Sequence, residues 1–267
     1  MAKAPVALTI AGSDSGGGAG IQADLKTFAA LGCYGASAIT AVTAQDTRRV
    51  HGVVELAPAF VGAQIDAVLD DIGADAVKTG MLASAATVVV VAERLERWGG
   101  RILVVDPVIL ATGGERLLDE DAVTTLKERL LPLALVLTPN LPEAAALVGR
   151  PLPTWEAIRE AARELQGLGA ANVVIKGGHA EGRVATDLLY DGRDFREYAA
   201  ARVATENTHG TGCTFASAIA ASLAKGETVE MAVAAAKAYV TKALQSAFPI
   251  GHGHGPVHHF YRYWRAG

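Results

Sequence analysis

The sequence predicts an α/β fold: a mainly parallel central sheet, helices on both of its faces, and a small β flap. Three observations carry that reading. Short apolar runs rich in Val, Ile and Leu recur along the chain, and helix-length segments separate them, which is the pattern of right-handed βαβ crossovers. Almost every run stops at a polar or glycine residue, so one rim of the sheet would collect Asp14, Lys78, Asp106, Asn140 and Lys176. Two pairs of runs are instead joined by turns too short to hold a helix, which marks hairpins.

Taken in order, Val6 to Ala11 is strand-like and ends in Gly12-Ser13-Asp14-Ser15-Gly16-Gly17-Gly18-Ala19-Gly20, after which Leu25, Phe28 and Leu31 keep a helical spacing. The loop fails three familiar patterns. Gly18 stands where a Walker loop needs lysine, a dinucleotide fingerprint would need glycine at Ile21, and Ser15 is one place late for a nucleophile elbow. It still delivers backbone and polar groups to a strand's carboxyl end. Tyr34 to Gln45 and Val50 to Leu56, joined across Asp46 to Arg49, read as a hairpin that protrudes as a flap with Gln45 near its tip.

Pro58 to Ile72 and Ser84 to Trp98 read as helices around the strand Ala76 to Thr79, and Ile102 to Val105 is a strand ending at Asp106-Pro107. Leu135 to Leu137 ends at Thr138-Pro139-Asn140. Pro142 to Val148 and Thr154 to Leu168 are helical, and Val173 to Ile175 ends at Lys176-Gly177-Gly178. Ala185 to Tyr190 and Phe195 to Ala200 form a second hairpin at the sheet's edge. The segment Asn207 to Cys213 then feeds a helix without interior glycine or proline, and Thr228 to Ala247 is a long alanine-rich helix carrying Lys237.

That glycine turn is the chemical focus. Gly210, Thr211 and Gly212 open a helix whose first N–H groups are unpaired and whose dipole favours an anion, so they suit phosphate. Cys213 stands in the first turn of the same helix, where the dipole is expected to lower a thiol's pKa and supply thiolate. An ordinary capping turn with a buried cysteine is the plainer alternative. The tail from Gly251 to His259 is rich in histidine, but glycine spacing makes it floppy and no carboxylate accompanies it, which argues against a dedicated metal site.

Composition narrows the classes. The chain has 267 residues, 51% hydrophobic, with no linker composition, so one domain spanning residues 1–267 is expected. A net charge of −4 with scattered Lys and Arg gives no basic face for nucleic acid or a membrane surface. Cys33 and Cys213 are too far apart in sequence for a C-x-x-C site, which fits a reducing cytoplasm. No signal-like segment precedes Val6, and Glu93 interrupts the apolar run Val88 to Val91, so no membrane span is expected.

With these motifs in view the chain resembles the hydroxymethylpyrimidine/phosphomethylpyrimidine kinases, a thiamine-pathway branch of the ribokinase-like superfamily. The resemblance runs over nearly the whole length: A-G-S-D-S-G-G-G-A-G-I-Q-A-D at 11–24, V-T-A-Q at 42–45, K-T-G-M-L at 78–82 and V-D-P-V at 105–108. It continues through T-P-N-L-P-E at 138–143, K-G-G-H at 176–179, T-H-G-T-G-C at 208–213 and H-G-P-V at 254–257.

The resemblance implies a three-layer ribokinase-like fold and an ATP- and Mg2+-dependent kinase. Its substrate would be 4-amino-5-hydroxymethyl-2-methylpyrimidine, phosphorylated once and then again to the diphosphate. It implies that Gly210, Thr211 and Gly212 hold the migrating phosphate and that Cys213, where most relatives carry aspartate, takes the hydroxyl proton. Gln45, Asp24, Gly12, Ala19, Met81 and Val108 would line the pyrimidine. Lys176, Asn140, Thr208 and Lys237 would meet the nucleotide, although Lys237 could equally be a solvated helix lysine. Asp106 and Glu143 would organise magnesium, with Asn140 beside them. A small-molecule substrate, neither nucleic acid nor membrane as partner, and a homodimer that covers its pockets with the flap complete the expectation. Pyridoxal kinase is the alternative, weakened because the loop from Ile109 to Gly114 lacks the extra cysteine some of those enzymes carry.

Overall fold

The computed structural model describes residues 4–100, 102–109, 117–179 and 182–264. The strands are β1 (Val6–Asp14), β2 (Tyr34–Gln45), β3 (Val50–Glu55), β4 (Ala76–Thr79), β5 (Leu103–Val105), β6 (Val136–Leu137), β7 (Asn172–Ile175), β8 (Val184–Tyr190) and β9 (Phe195–Ala201). Among the described residues they form one sheet in the order β3-β2-β1-β4-β5-β6-β7-β8-β9. The pairs from β2 through β7 are parallel, and β2–β3, β7–β8 and β8–β9 are antiparallel. Chain order reverses at β1, which lies between β2 and β4. Crevices open at the carboxyl ends on either side of such a point.

The helices are α1 (Gly20–Ala30), α2 (Pro58–Asp71), α3 (Ala85–Trp98), α4 (Glu120–Thr125), α5 (Leu141–Val148), α6 (Trp155–Gly167), α7 (Thr211–Ala224) and α8 (Val229–Gln245). Alternation along the short strands sends side chains to two separate cores. Leu8, Ile10, Val77, Val105 and Leu137 face α2 to α6, with Ile65, Val91, Leu147 and Leu165 among the residues that meet them. Ala7, Val104, Val136 and Val174 face α1, α7 and α8 through Phe28, Ile219 and Val233. Three layers result, as the resemblance implied.

Most helix bounds are set by caps legible in the sequence. Ser84, Asp119, Thr154 and Thr228 each accept an amide at N3, and Gly99 and Gly149 close α3 and α5 in the left-handed region. Two features depart from expectation. α4 and the irregular helical turns through Leu133 fill a stretch with no strong periodic signal, held by buried Leu126, Leu130 and Leu131. β1 runs past Ala11 to Asp14 because Ser13 and Asp14 keep pairing with β2 after a register break at Gly12.

The tail is not floppy. His254 donates its amide to Thr47 O at 2.8 Å, Gly253 donates to Thr47 Oγ1 at 3.0 Å, and His209 donates to Gly255 O at 3.0 Å. The tail therefore straps the flap to the loop before α7. His258 and His259 are buried, and burial holds the His259 imidazole down to about 3, with its Nε2 3.0 Å from Thr214 Oγ1.

Candidate active site

Gly210 adopts φ 76 and begins α7 without a capping side chain, while the Thr211 amide turns back to Thr208 O at 3.2 Å. The residue must be glycine for a second reason: a Cβ there would lie 1.8 Å from Gly18 O, so the two glycine loops are in backbone contact. Thr211 Oγ1 donates to Thr208 O at 2.6 Å and closes the turn from outside, and Thr208 itself is exposed.

The rim supplies charge opposite this turn. A Cβ on Gly212 would come 3.2 Å from Lys176 Nζ and 3.9 Å from Asp106 Oδ2, so both side chains reach the anion loop. Lys176 Nζ lies 2.8 Å from Asp106 Oδ1. Burial opposes the ammonium, yet the carboxylates of Asp106 and Glu143 outweigh it and raise the Lys176 pKa. Asn140 caps α5, accepting the Glu143 amide at 2.8 Å while Glu143 Oε2 accepts the Asn140 amide at 2.8 Å. Glu143 is thus a capping-box carboxylate as well as a neighbour of Lys176. Burial raises its pKa, the ammonium of Lys176 lowers it, and Asp106 raises it again, with a net rise.

The loop before α7 also meets Asp14, which the sequence places on the rim without a role. Its carboxylate accepts the amides of Gly16, Gly18 and Ala19 at 2.8, 3.0 and 2.8 Å, and lies 2.9 Å from His209 Nε2. Burial pushes the carboxyl up, but His209 and those amides overcome it and the net pKa is lowered. Gln45 Nε2 stands 3.4 Å from the same imidazole nitrogen, and Ser15 Oγ bonds both backbone groups of Gln45 at 2.8 Å. The flap tip, the first glycine loop and the anion loop therefore meet at one point.

Of the residues expected to line a ring, Gly12 meets Met81, and Ala19 and Gln45 belong to the Asp14 and His209 network. A Cβ on Gly12 would sit 2.4 Å from the Met81 methyl, and both Ala19 and Met81 are half-buried. Val108 is held at φ 39, a costly conformation for a β-branched residue. Such strain persists only where surroundings enforce it.

Three expectations are corrected. Asp24 does not line the pocket: it is fully buried and bonded to Lys78, Thr9 and Ser217, so no ring atom could reach it. Lys237 is not a solvated lysine, because its largely buried ammonium pairs with Asp187 Oδ2 at 2.9 Å. Asp187 Oδ1 accepts the Gly177 amide at 2.9 Å, so Lys237 steadies the turn that carries Lys176 from behind. The Cys213 thiol is not lowered by its helix. Burial pushes it up to about 11, against the attraction of Lys78. The helix-dipole argument omitted desolvation, which here is the larger effect.

Among the described residues no cluster of three or more His, Cys, Asp or Glu side chains is arranged to hold a metal ion, and no helix is long and apolar enough to cross a membrane. Residues 110 to 114 of the loop after Ile109 lie outside the described residues.

The geometry has close relatives. A phosphomethylpyrimidine kinase family model matches residues 14–258. The chain is 54% identical to the hydroxymethylpyrimidine/phosphomethylpyrimidine kinase of Rhizobium meliloti, over 97% of this chain and 98% of that one. It is 56% identical to the thiamine biosynthesis bifunctional protein ThiED of Geobacter sulfurreducens over 94% of its own length, while spanning 51% of that longer protein. Among solved structures, an ADP complex of Bacillus subtilis pyridoxal kinase superposes with a TM-score of 0.90 at 41% identity, covering 96% of this chain and 98% of that one.

Proposed function

Because the chain belongs to the phosphomethylpyrimidine kinase family, we propose that it phosphorylates 4-amino-5-hydroxymethyl-2-methylpyrimidine from ATP, first to the monophosphate and then to the diphosphate, as a cytoplasmic step toward thiamine. The observation that carries this reading is the meeting of Gly212, Lys176 and Asp106 at the mouth of α7, with Gln45 held 3.4 Å from His209 in the loop that leads into the same helix. A phosphoryl group on the α7 amides would lie between a nucleotide on the Lys176 side and a ring on the Gln45 side.

In the first transfer the hydroxymethyl oxygen bonds the γ-phosphorus, the bond to the β-phosphate oxygen breaks, ADP leaves, and the hydroxyl proton passes to the Cys213 sulfur in the minor thiolate form that a pKa of about 11 leaves near neutrality. Lys176 and the amides of Gly210 and Gly212 neutralise charge on the moving oxygens, which is most of the catalysis such a loose transition state needs, while the Thr211 amide is engaged by Thr208 O. In the second transfer the acceptor is a phosphate already largely ionised near neutral pH, so no base is required. One set of residues serves both steps.

The residues fit magnesium held through water. Asp106 keeps Oδ2 toward Gly212 after Oδ1 has taken Lys176, and Glu143 and Asn140 bring a second carboxylate and an amide to the same corner. The ion would neutralise phosphate oxygens as a Lewis acid.

A second reading, pyridoxal phosphorylation, is favoured by the likeness to the pyridoxal kinase structure. Mass spectrometry of each alcohol with ATP, counting phosphates added, tests both. Two phosphates on the pyrimidine support the first reading, and turnover of pyridoxal alone would replace it. We also propose a homodimer through the flap, where Val42, Val53 and Val54 are 46%, 44% and 67% exposed. A monomeric mass in solution would remove it.

A further inference from the structure

Beneath the anion loop lies a group of charges that the transfer reading leaves without a role. Lys78 on β4 is sealed from solvent, with Nζ 3.0 and 2.9 Å from the two oxygens of Asp24 on α1. Asp24 also accepts Thr9 Oγ1 and Ser217 Oγ, each at 2.6 Å. Stability alone does not call for such a group, because apolar residues of the same volume usually serve a core as well as a buried ion pair.

Its placement supplies a reason. Ser217 follows Cys213 by one helical turn and shares its face of α7, and Gly20 and Asp24 are related in the same way on α1. The two helices thus meet in two rungs. The Gly20 amide meets the Cys213 sulfur, and the Ser217 hydroxyl meets Asp24. Lys78 rises from the strand below, where a Cβ on Gly80 would lie 2.8 Å from its Nζ, and that glycine leaves the ammonium its room.

We propose that Lys78 and Asp24 are positioning residues for Cys213: the pair, clamped to α7 through Ser217, sets how readily the sulfur under the phosphate turn gives up its proton. This rests on the reading of Cys213 as proton acceptor. The charged groups around the sulfur are Lys78 from β4, Asp24 from α1 and Asp106 after β5, with Lys176 reaching Gly212 from the end of β7. After burial, Lys78 is the largest influence on the thiol and favours thiolate, as the Gly20 amide does more weakly, while Asp24 and Asp106 oppose it. The pair therefore restrains Lys78 without cancelling it.

The test is the pH dependence of Cys213 alkylation by iodoacetamide, followed by mass spectrometry on the intact protein. K78M removes the ammonium at nearly constant shape and should move the midpoint up by about one pH unit, slowing alkylation about tenfold at fixed pH. D24N keeps acceptors for Ser217 and Thr9 but releases the Lys78 charge, and should move it down by about as much. Opposite shifts separate electrostatics from damage, which would move both variants together. Should K78M fail to fold, the neutral double variant K78M/D24N decides with D24N, and its midpoint should return to within about half a pH unit of the native one. Shifts in one direction, an unmoved D24N, or a double variant displaced upward by a full unit would overturn the proposal. Alkylation reads the sulfur whether or not it accepts a substrate proton, so loss of the base assignment would appear separately, as an unimpaired first phosphorylation in C213A.

Discussion

Lys78 and Lys176 each stand at or just past the carboxyl end of a strand in the same sheet, followed within two residues by glycine, and each pairs with an aspartate at 2.9 and 2.8 Å. Their side chains differ in one respect: Lys78 is 0% exposed and Lys176 12%. Lys78 points into the α1–α7 layer, where α7 lies over it, whereas Lys176 clears the sheet and reaches the mouth of α7 beside Gly212. Equal chemistry at equivalent strand ends is thus divided into a charge that substrate can meet and a charge that only protein can meet. The open pair can exchange its carboxylate for a phosphate oxygen. The sealed pair has no such freedom, and its removal must be felt through the fold or through Cys213.

The comparison breaks first on activity. K176M should lower kcat/KM for ATP by about two to three orders of magnitude, the usual scale for removing one charge from a developing phosphoryl transition state. Its midpoint in urea should move less than that of K78M, because the Lys176 side chain is itself 12% exposed, so water can reach the place it leaves beside buried Asp106, which keeps Thr138 as a donor at 3.4 Å. Steady-state kinetics beside a urea titration would show whether activity and stability separate. C213A comes next: the first phosphorylation should fall by about two orders of magnitude or more, and the second should stay within about tenfold of native, because general-base catalysis serves only the protonated acceptor. Equal losses in both steps, measured from alcohol and from monophosphate separately, would remove the base assignment. The sealed pair gives the converse of K176M. K78M should cost about 3–5 kcal/mol of stability, since it leaves Asp24 buried and uncompensated. A urea midpoint near native would show that Asp24 reaches water after all.

This division also marks how far the sequence could be read. Strand ends, the two hairpins and most caps depend on local spacing and turn chemistry, so the three layers and the rim bearing Asp106, Asn140 and Lys176 were legible before any coordinates. Depth was not. Asp24 shares its motif with Gly12 and Ala19, yet lies one turn inside α1 where Lys78 and Ser217 enclose it. Cys213 has the helix N-terminus that favours thiolate, but the α1 packing that desolvates it comes from residues nearly two hundred positions away. Asp14 was legible as a residue of the rim, and His209 only as a member of its motif. Their 2.9 Å contact is a property of the folded rim, although a carboxylate amid glycines, each offering an amide, was a signal that could have been weighed.

That contact yields the smallest effect, and it extends the comparison to a third carboxylate that is buried yet paired with a group of changeable charge. The Asp14 pKa is lowered in the fold, so its contribution to stability is present above the unfolded carboxylate value of about 4 and is lost as pH falls from there toward the folded value. In D14N that contribution is absent at every pH. The native protein should therefore exceed D14N in urea midpoint near neutrality, and the gap should narrow as the titration is repeated below about pH 4. The loss should begin where Asp14 anchors the amides of Gly16, Gly18 and Ala19, so proteolysis of residues 15–19 in acid is the local readout. A gap that widened on acidification would mean the carboxyl is protonated in the fold, and that His209 is held by Gln45 instead.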